Sequence, residues 1–191
     1  MLRDMSAVRI VTVNGSLSRQ SKTGVLLRAL ADRTAAPLGA AVRHVELAEI
    51  APDFIGALSV DELGPRARAA LEEVESADVL VAGSPIFRAT YTGLFKHFFD
   101  FVGQHALTDV PTFLAATGGS TRHSLVIEHQ FRPLFAFFQA LTLPLGVFGS
   151  SDEFGDDAIA SAALDSRIDR AVEGALPILR GRLTDPLSLI T

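Results

Sequence analysis

Ser16, Ser18, Ser21 and Thr23 place four hydroxyls within eight residues, directly after Asn14-Gly15 and beside Lys22. Hydroxyls and amide N–H groups are what an oxyanion needs. Upstream, Val8–Val13 is an apolar, β-branched run, and a helical pattern begins near Ser21. Gly15 permits a tight turn, and a helix start adds unpaired N–H groups with the positive end of the helix dipole behind them. This is the layout of a phosphate cradle at the C-terminal end of a strand. The same residues also suit a plain polar strand–helix turn with a capped helix. The G-x-x-x-x-G-K-[ST] spacing of a nucleotide P-loop is not met, because Ser21 stands where the second glycine belongs, and no G-x-G-x-x-G follows the strand.

Two further loops have unusual chemistry. In Gly83–Gly93 (GSPIFRATYTG), Pro85 fixes the backbone after a buried run and Phe87 lies beside it. A flat aromatic ligand lying along this edge would take hydrogen bonds from the Ile86 and Phe87 amides; a simple turn is the alternative. Thr117-Gly118-Gly119-Ser120 joins two glycines to a helix start. A backbone without side chains can approach a ring closely, and the helix dipole favours negative charge there. Ser120 is the expected N-cap in either case. Together the three loops imply one phosphate, one planar ring and a site that stabilises an anion on that ring. FMN meets all three requirements, since its reduced form is anionic near neutral pH.

The elements that must position these loops alternate strictly. Apolar runs at Val8–Val13, Ala41–Leu47, Asp78–Gly83, Pro111–Thr117 and Leu141–Phe148 read as strands, the last a margin strand because of Pro144. Helical spacing predicts Ser21–Thr34, Pro65–Ser76, Tyr91–Val102, Ser120–Ala140 and Asp157–Leu183, with an irregular Ala51–Leu63. The fold class is therefore α/β: a flavodoxin-like, doubly wound, five-stranded parallel sheet in the order 2-1-3-4-5, with helices on both faces and the ligand crevice at the β1/β3 switch point. The 191 residues form one expected domain, with its core at about 8–180.

Composition narrows the function. A net charge of −5 without a basic block argues against nucleic acid. The chain has no cysteine, which excludes disulfides, thiolate metal sites and a cysteine nucleophile. The spacing of His44, His97, His105, His123 and His129 fits no zinc motif. No apolar run reaches the ~18 residues of a membrane span and no signal-peptide pattern opens the chain, so the expected setting is cytoplasmic.

The segments GSLSRQSKT, GSPIFRATYTGLFKHFFD and LAATGGSTRHSLVIEHQFRPLF, with the acidic SSDEFGDD, resemble the NADPH-dependent FMN reductases over about residues 8–180. The similarity is greatest to the branch that feeds reduced flavin to two-component monooxygenases such as those acting on alkanesulfonates. The resemblance implies that Ser16, Ser18, Ser21, Lys22 and Thr23 form the FMN phosphate loop. It implies that Pro85, Ile86, Phe87 and Arg88 hold the ribityl chain and ring edge, and that Thr117, Gly118, Gly119 and Ser120 lie against the isoalloxazine. Phe87 stands where many relatives have Tyr, and Ser18 replaces a basic residue found in some. The implied cofactors are FMN and NADPH, with Arg19, Arg88 and Arg122 as candidates for a 2′-phosphate contact. Hydride transfer between stacked rings needs positioning rather than a side-chain acid or base, so no catalytic side chain is assigned.

Pro133 has no N–H to give the His129 carbonyl, which predicts a kink or a π-type bulge at His129. The resembling branch carries such a turn near its subunit interface and flavin site, making His129 a candidate modulator of FMN retention. His97 is expected to pack rather than react. Phe95, Phe98, Phe99 and Phe101, and Phe131, Phe135, Phe137 and Phe138, cover more than one helix face. That predicts a homo-oligomer, dimer or tetramer, packed through these helices. The leading function is an NAD(P)H-dependent FMN reductase supplying reduced flavin to a partner monooxygenase. The alternatives are an FMN-retaining quinone or azo reductase and a flavodoxin-like electron carrier; the lack of Trp and the single Tyr91 disfavour the carrier.

Overall fold

A computed structural model describes residues 8–18 and 20–184 of the chain. Arg19 and the tail 185–191 lie outside the described residues, as does the role considered for Arg19. The strands are β1 (Arg9–Asn14), β2 (Ala41–Glu46), β3 (Val79–Pro85), β4 (Pro111–Gly118), β5 (Leu141–Thr142) and β6 (Val147–Ser150). The sheet order is β2-β1-β3-β4-β5, with β6 also on β4, and every pairing is parallel.

The helices are α1 (Lys22–Ala35), α2 (Leu47–Ile50), α3 (Pro65–Glu75), α4 (Gly93–Phe99), α5 (Arg132–Phe137) and α6 (Ala162–Thr184). Alternation along the central strands divides the core into two layers, because successive side chains point to opposite faces. Val11, Val13, Leu80, Ala82, Leu114 and Ala116 pack with Ala67, Phe95, Phe99 and Phe135 on one face. Ile10, Val79, Val81, Phe113 and Ala115 pack with Leu26, Leu30, Leu164 and Ile168 on the other. No described helix is long and apolar enough to cross a membrane.

Three expectations are corrected. The fifth strand is two pieces, because Pro144 cannot donate to the ladder. The helix expected at Ser120–Ala140 is broken into a 3₁₀ turn (Thr121–His123), a π turn (Ile127–Phe131) and α5, and Ser120 makes no side-chain cap bond. The bulge falls where Pro133 predicts it, with the Arg132 amide donating to the Ile127 carbonyl five residues back. The third correction concerns the phenylalanines. Phe95, Phe98, Phe99, Phe101, Phe131, Phe135 and Phe138 are all buried within one chain, and only Phe137, 61% exposed, is left out. The rings satisfy one another, with Phe95–Phe99 centroids at 4.7 Å and Phe99–Phe135 at 5.1 Å. Their number therefore does not require a second subunit.

Candidate functional site

The loops after β1, β3, β4 and β6 meet at the carboxyl rim of the sheet. In the first, Asn14 is buried and holds the turn with its side chain. Its Oδ1 accepts from the Ser16 amide (3.0 Å), and its Nδ2 donates to Ser21 Oγ (3.2 Å) and to Glu46 Oε2 (2.6 Å). Ser16 Oγ accepts from the Ser18 amide (3.2 Å). Ser21 is the N-cap of α1, accepting from the Gly24 amide at 2.9 Å, and the Val25 amide enters the ladder at Ser21 O. In these bonds Ser16 and Ser21 act as acceptors, so their hydroxyl hydrogens stay free to donate. The Lys22 and Thr23 amides, in the first turn, have no carbonyl within the helix to reach. These groups and the helix dipole suit a phosphate.

Two members of the expected loop point elsewhere. The Lys22 ammonium donates to the Ser151 carbonyl (2.7 Å), and Thr23 Oγ1 lies 2.6 Å from Thr117 Oγ1. Thr23 therefore offers its amide, rather than its hydroxyl, to the cradle.

The loop after β3 is a two-residue hairpin turn. Phe87 and Thr90 exchange backbone bonds of 2.9 and 3.3 Å, and both central residues, Arg88 (φ 52°) and Ala89 (φ 74°), are left-handed. The Ile86 amide donates to the Thr117 carbonyl at 2.7 Å. Both amides expected to bind a ring edge are thus engaged within the protein, and what Phe87 presents is its half-exposed ring. Thr92 caps α4 and donates through its hydroxyl to the Gly15 carbonyl (2.7 Å), locking the first loop to the second.

The third loop is a floor. A side chain at Gly118 would meet Phe148 at 3.1 Å, whereas Gly119 faces open space with nothing within 4 Å. Ser151 Oγ donates to the Gly118 carbonyl (3.2 Å). The β6 end is held by Glu153, which accepts from the Ser150 amide and hydroxyl (3.0 Å each) and from Arg167 (2.6 Å). Burial pushes the Glu153 carboxyl up, but the bonds from Arg167 and Ser150 outweigh it and hold it below the usual carboxylate range.

Between Leu17 and Phe87 lies an open cleft of about 470 Å³, lined also by Arg88, Tyr91, Thr92, Leu94 and Lys96. Burial raises the Tyr91 phenol pKa, so the ring stays neutral. Arg88 and Arg122 are exposed. His97 packs on Phe54 and bonds its carbonyl at 3.0 Å. Among the described residues no cluster of His, Asp or Glu could hold a metal.

Sequence reasoning missed Glu46, Thr92 and Ser151. Thr92, three residues before Phe95, carries a local N-cap signal. Glu46 and Ser151 arrive by strand register and have none.

Residues 8–155 match the family described as NADPH-dependent FMN reductase. The chain is 44% identical over 177 residues to an FMN reductase (NADPH) of Pseudomonas aeruginosa, covering 93% of this chain and 95% of the relative. It is 47% identical over 171 residues to the NADH-dependent FMN reductase SfnE of Pseudomonas putida, covering 90% and 92%. An oxidoreductase structure from Corynebacterium diphtheriae superposes with a TM-score of 0.76 at 34% identity, covering 92% of this chain and 99% of that one. The family match over residues 8–155 and the relatives above 40% identity along nearly the whole chain agree, and the chain belongs to the NADPH-dependent FMN reductase family.

Proposed function

We propose that this protein is an NAD(P)H-dependent FMN reductase that binds FMN at the sheet rim and releases it reduced to a partner monooxygenase. The observation that carries the reading is the open donor set at the start of α1, the Ser16 and Ser21 hydroxyls with the Lys22 and Thr23 amides, facing the same rim as the open Gly119 floor. Ser16, Ser18, Ser21 and the first amides of α1 hold the phosphate. Pro85–Arg88 flank the ribityl chain and ring edge, and Thr117–Ser120 underlie the ring. Bound there, FMN would supply the acceptor for a hydride from NAD(P)H. The protein's part is to orient that ring, exclude water beside Phe87 and Leu17, and offer the dipoles of the 118–121 turn to the charge that develops.

Release fits a cradle without a charged clamp, since the Lys22 ammonium is directed to Ser151. His129 lies on the π turn, whose Gln130 accepts from the Thr90 hydroxyl (3.2 Å) beside the ring loop; it is the candidate modulator of retention. Exposed Leu125, Phe137, Leu141 and Leu145 belong to the same segment and are the candidate surface for a homo-oligomer.

The test is FMN titration by fluorescence quenching, with NADPH and NADH oxidation followed with and without added FMN. Quenching, and rapid oxidation only with added flavin, is expected, with His129→Ala altering FMN affinity. A yellow protein that needs a quinone would establish the FMN-retaining reductase instead. A yellow protein inert to both nucleotides would establish the electron carrier.

A further inference from the structure

Two buried hydroxyls face each other where the phosphate cradle meets the ring floor. Thr23 and Thr117 are 1% and 4% exposed, and their Oγ1 atoms are 2.6 Å apart. Thr23 lies in the first turn of α1, which follows β1, and Thr117 lies near the end of β4. In the sheet, β3 runs between those two strands. Two strand spacings are about 10 Å, so the pair closes only because α1 settles over the end of β3. Gly83 of β3 allows this: a Cβ there would meet Leu27 of α1 at 2.7 Å and the Ala115 carbonyl of β4 at 2.9 Å. Thr117 also accepts the Ile86 amide through its carbonyl (2.7 Å), so one residue ties all three loops together.

The consequence is a matter of spacing. A ligand held at both ends gains from the second grip only if the two grips stand at the separation its own chain spans. We propose that the Thr23–Thr117 pair is a positioning device that fixes the phosphate cradle at the distance from the glycine floor spanned by one FMN. This pair thereby lets the enzyme prefer FMN to riboflavin. The inference rests on the FMN reading above. The two hydroxyls act through the loops they join, not by touching the phosphate.

The test compares kcat/KM for FMN and for riboflavin, which has the ring and ribityl chain but no phosphate. Wild-type protein favours FMN. Thr23→Val and Thr117→Val each lower that preference about tenfold, the value of one lost hydrogen bond. The double variant falls no further than either single one, because the same bond is already gone. Thr23→Ser retains the preference. Thr23→Ala repeats the comparison in a smaller side chain if valine does not fold.

An intact preference in Thr23→Val overturns the proposal, as does a parallel loss of both flavins, which is what plain loosening would give. Loss in Thr23→Val without loss in Thr117→Val also overturns it, in favour of a direct bond from Thr23 to the phosphate. A wild-type protein that turns over both flavins equally overturns the phosphate cradle and this inference with it.

Discussion

The loops after β1 and β3 stand side by side at one rim, yet they are closed by opposite means. The first is shaped by side chains: Asn14, Ser16 and Ser21 take the amides of Ser16, Ser18 and Gly24, and no described residue of this loop has a positive φ. The second is shaped by backbone: Phe87 and Thr90 bond directly across Arg88 and Ala89, both left-handed without being glycine. That conformation costs roughly 1–2 kcal/mol per residue. The difference matches what each loop would hold under the proposed function. A phosphate needs several donors aimed at one point, and short polar side chains build such a turn without strain. A flat ring needs an apolar edge at a fixed height, and the tight turn sets Phe87 half in solvent, 49% exposed, by spending backbone energy.

Removing the side chain that organises the first loop is the largest expected effect. Asn14→Ala deletes three hydrogen bonds and strips the Ser16 amide and the Glu46 carboxylate of a buried partner. The expected loss is about 3 kcal/mol of stability in denaturant unfolding, with FMN affinity falling more than about tenfold. A loss under about 1 kcal/mol with FMN affinity intact would mean that this loop, like its neighbour, is held by its backbone.

The second loop should respond with the opposite sign. Ala89→Gly removes the Cβ from a φ of 74° and is expected to raise stability by about 1 kcal/mol, read as a higher Tm. Turnover is expected to fall in the same variant, because a freer turn no longer holds Phe87 still. A destabilised Ala89→Gly would remove strain from the account of this loop.

The same contrast explains what was legible in the sequence. The turn and helix start of the first loop could be read because their signals reside in residue types packed into eight positions, ending in the Ser21 cap. The three central strands β1, β3 and β4 could be read because burial on both faces leaves continuous apolar runs such as Val79–Ala82. The partners that lock the loops together were hidden. Asn14 meets Glu46 only because β1 and β2 pair in that register, and Thr23 meets Thr117 across 94 residues. Counting phenylalanines on helix faces also misled, because a helix wheel shows how many rings a helix carries and not how many neighbours surround it. α4 is packed by Phe131, Phe135 and Phe138 of the same chain. Pro133 announced the π turn, since a missing N–H is a local fact wherever it falls, whereas Pro144 marked a margin strand in the sequence and the split of that strand into two pieces was not foreseen.

The π turn extends the comparison, since Gln130 reaches the second loop through Thr90 while nothing described ties the turn to the first loop's Asn14. Arg132 anchors that turn. It donates to Glu128 (2.6 and 2.8 Å) and to Thr142 Oγ1 and the Leu143 carbonyl (3.0 and 3.2 Å), where the split strand leaves acceptors unpaired. The bond from Arg132 holds the Glu128 carboxyl below the usual carboxylate range. A carboxyl lowered on folding stabilises fully above its ordinary value near pH 4.5 and loses that contribution as pH falls through its folded value. Glu128 is nearly half exposed, so solvent screening limits the pair to about 0.5 kcal/mol. The Tm gap between wild type and Glu128→Gln is therefore expected to be small at pH 7 and to close towards pH 3, and a gap that is absent or unchanged between pH 7 and pH 3 would show that Arg132 is held by the strand acceptors rather than by Glu128. The same titration followed by FMN quenching reads how firmly the second loop depends on the turn beneath it. A closing Tm gap with unchanged quenching would confine the role of Arg132 to the split strand.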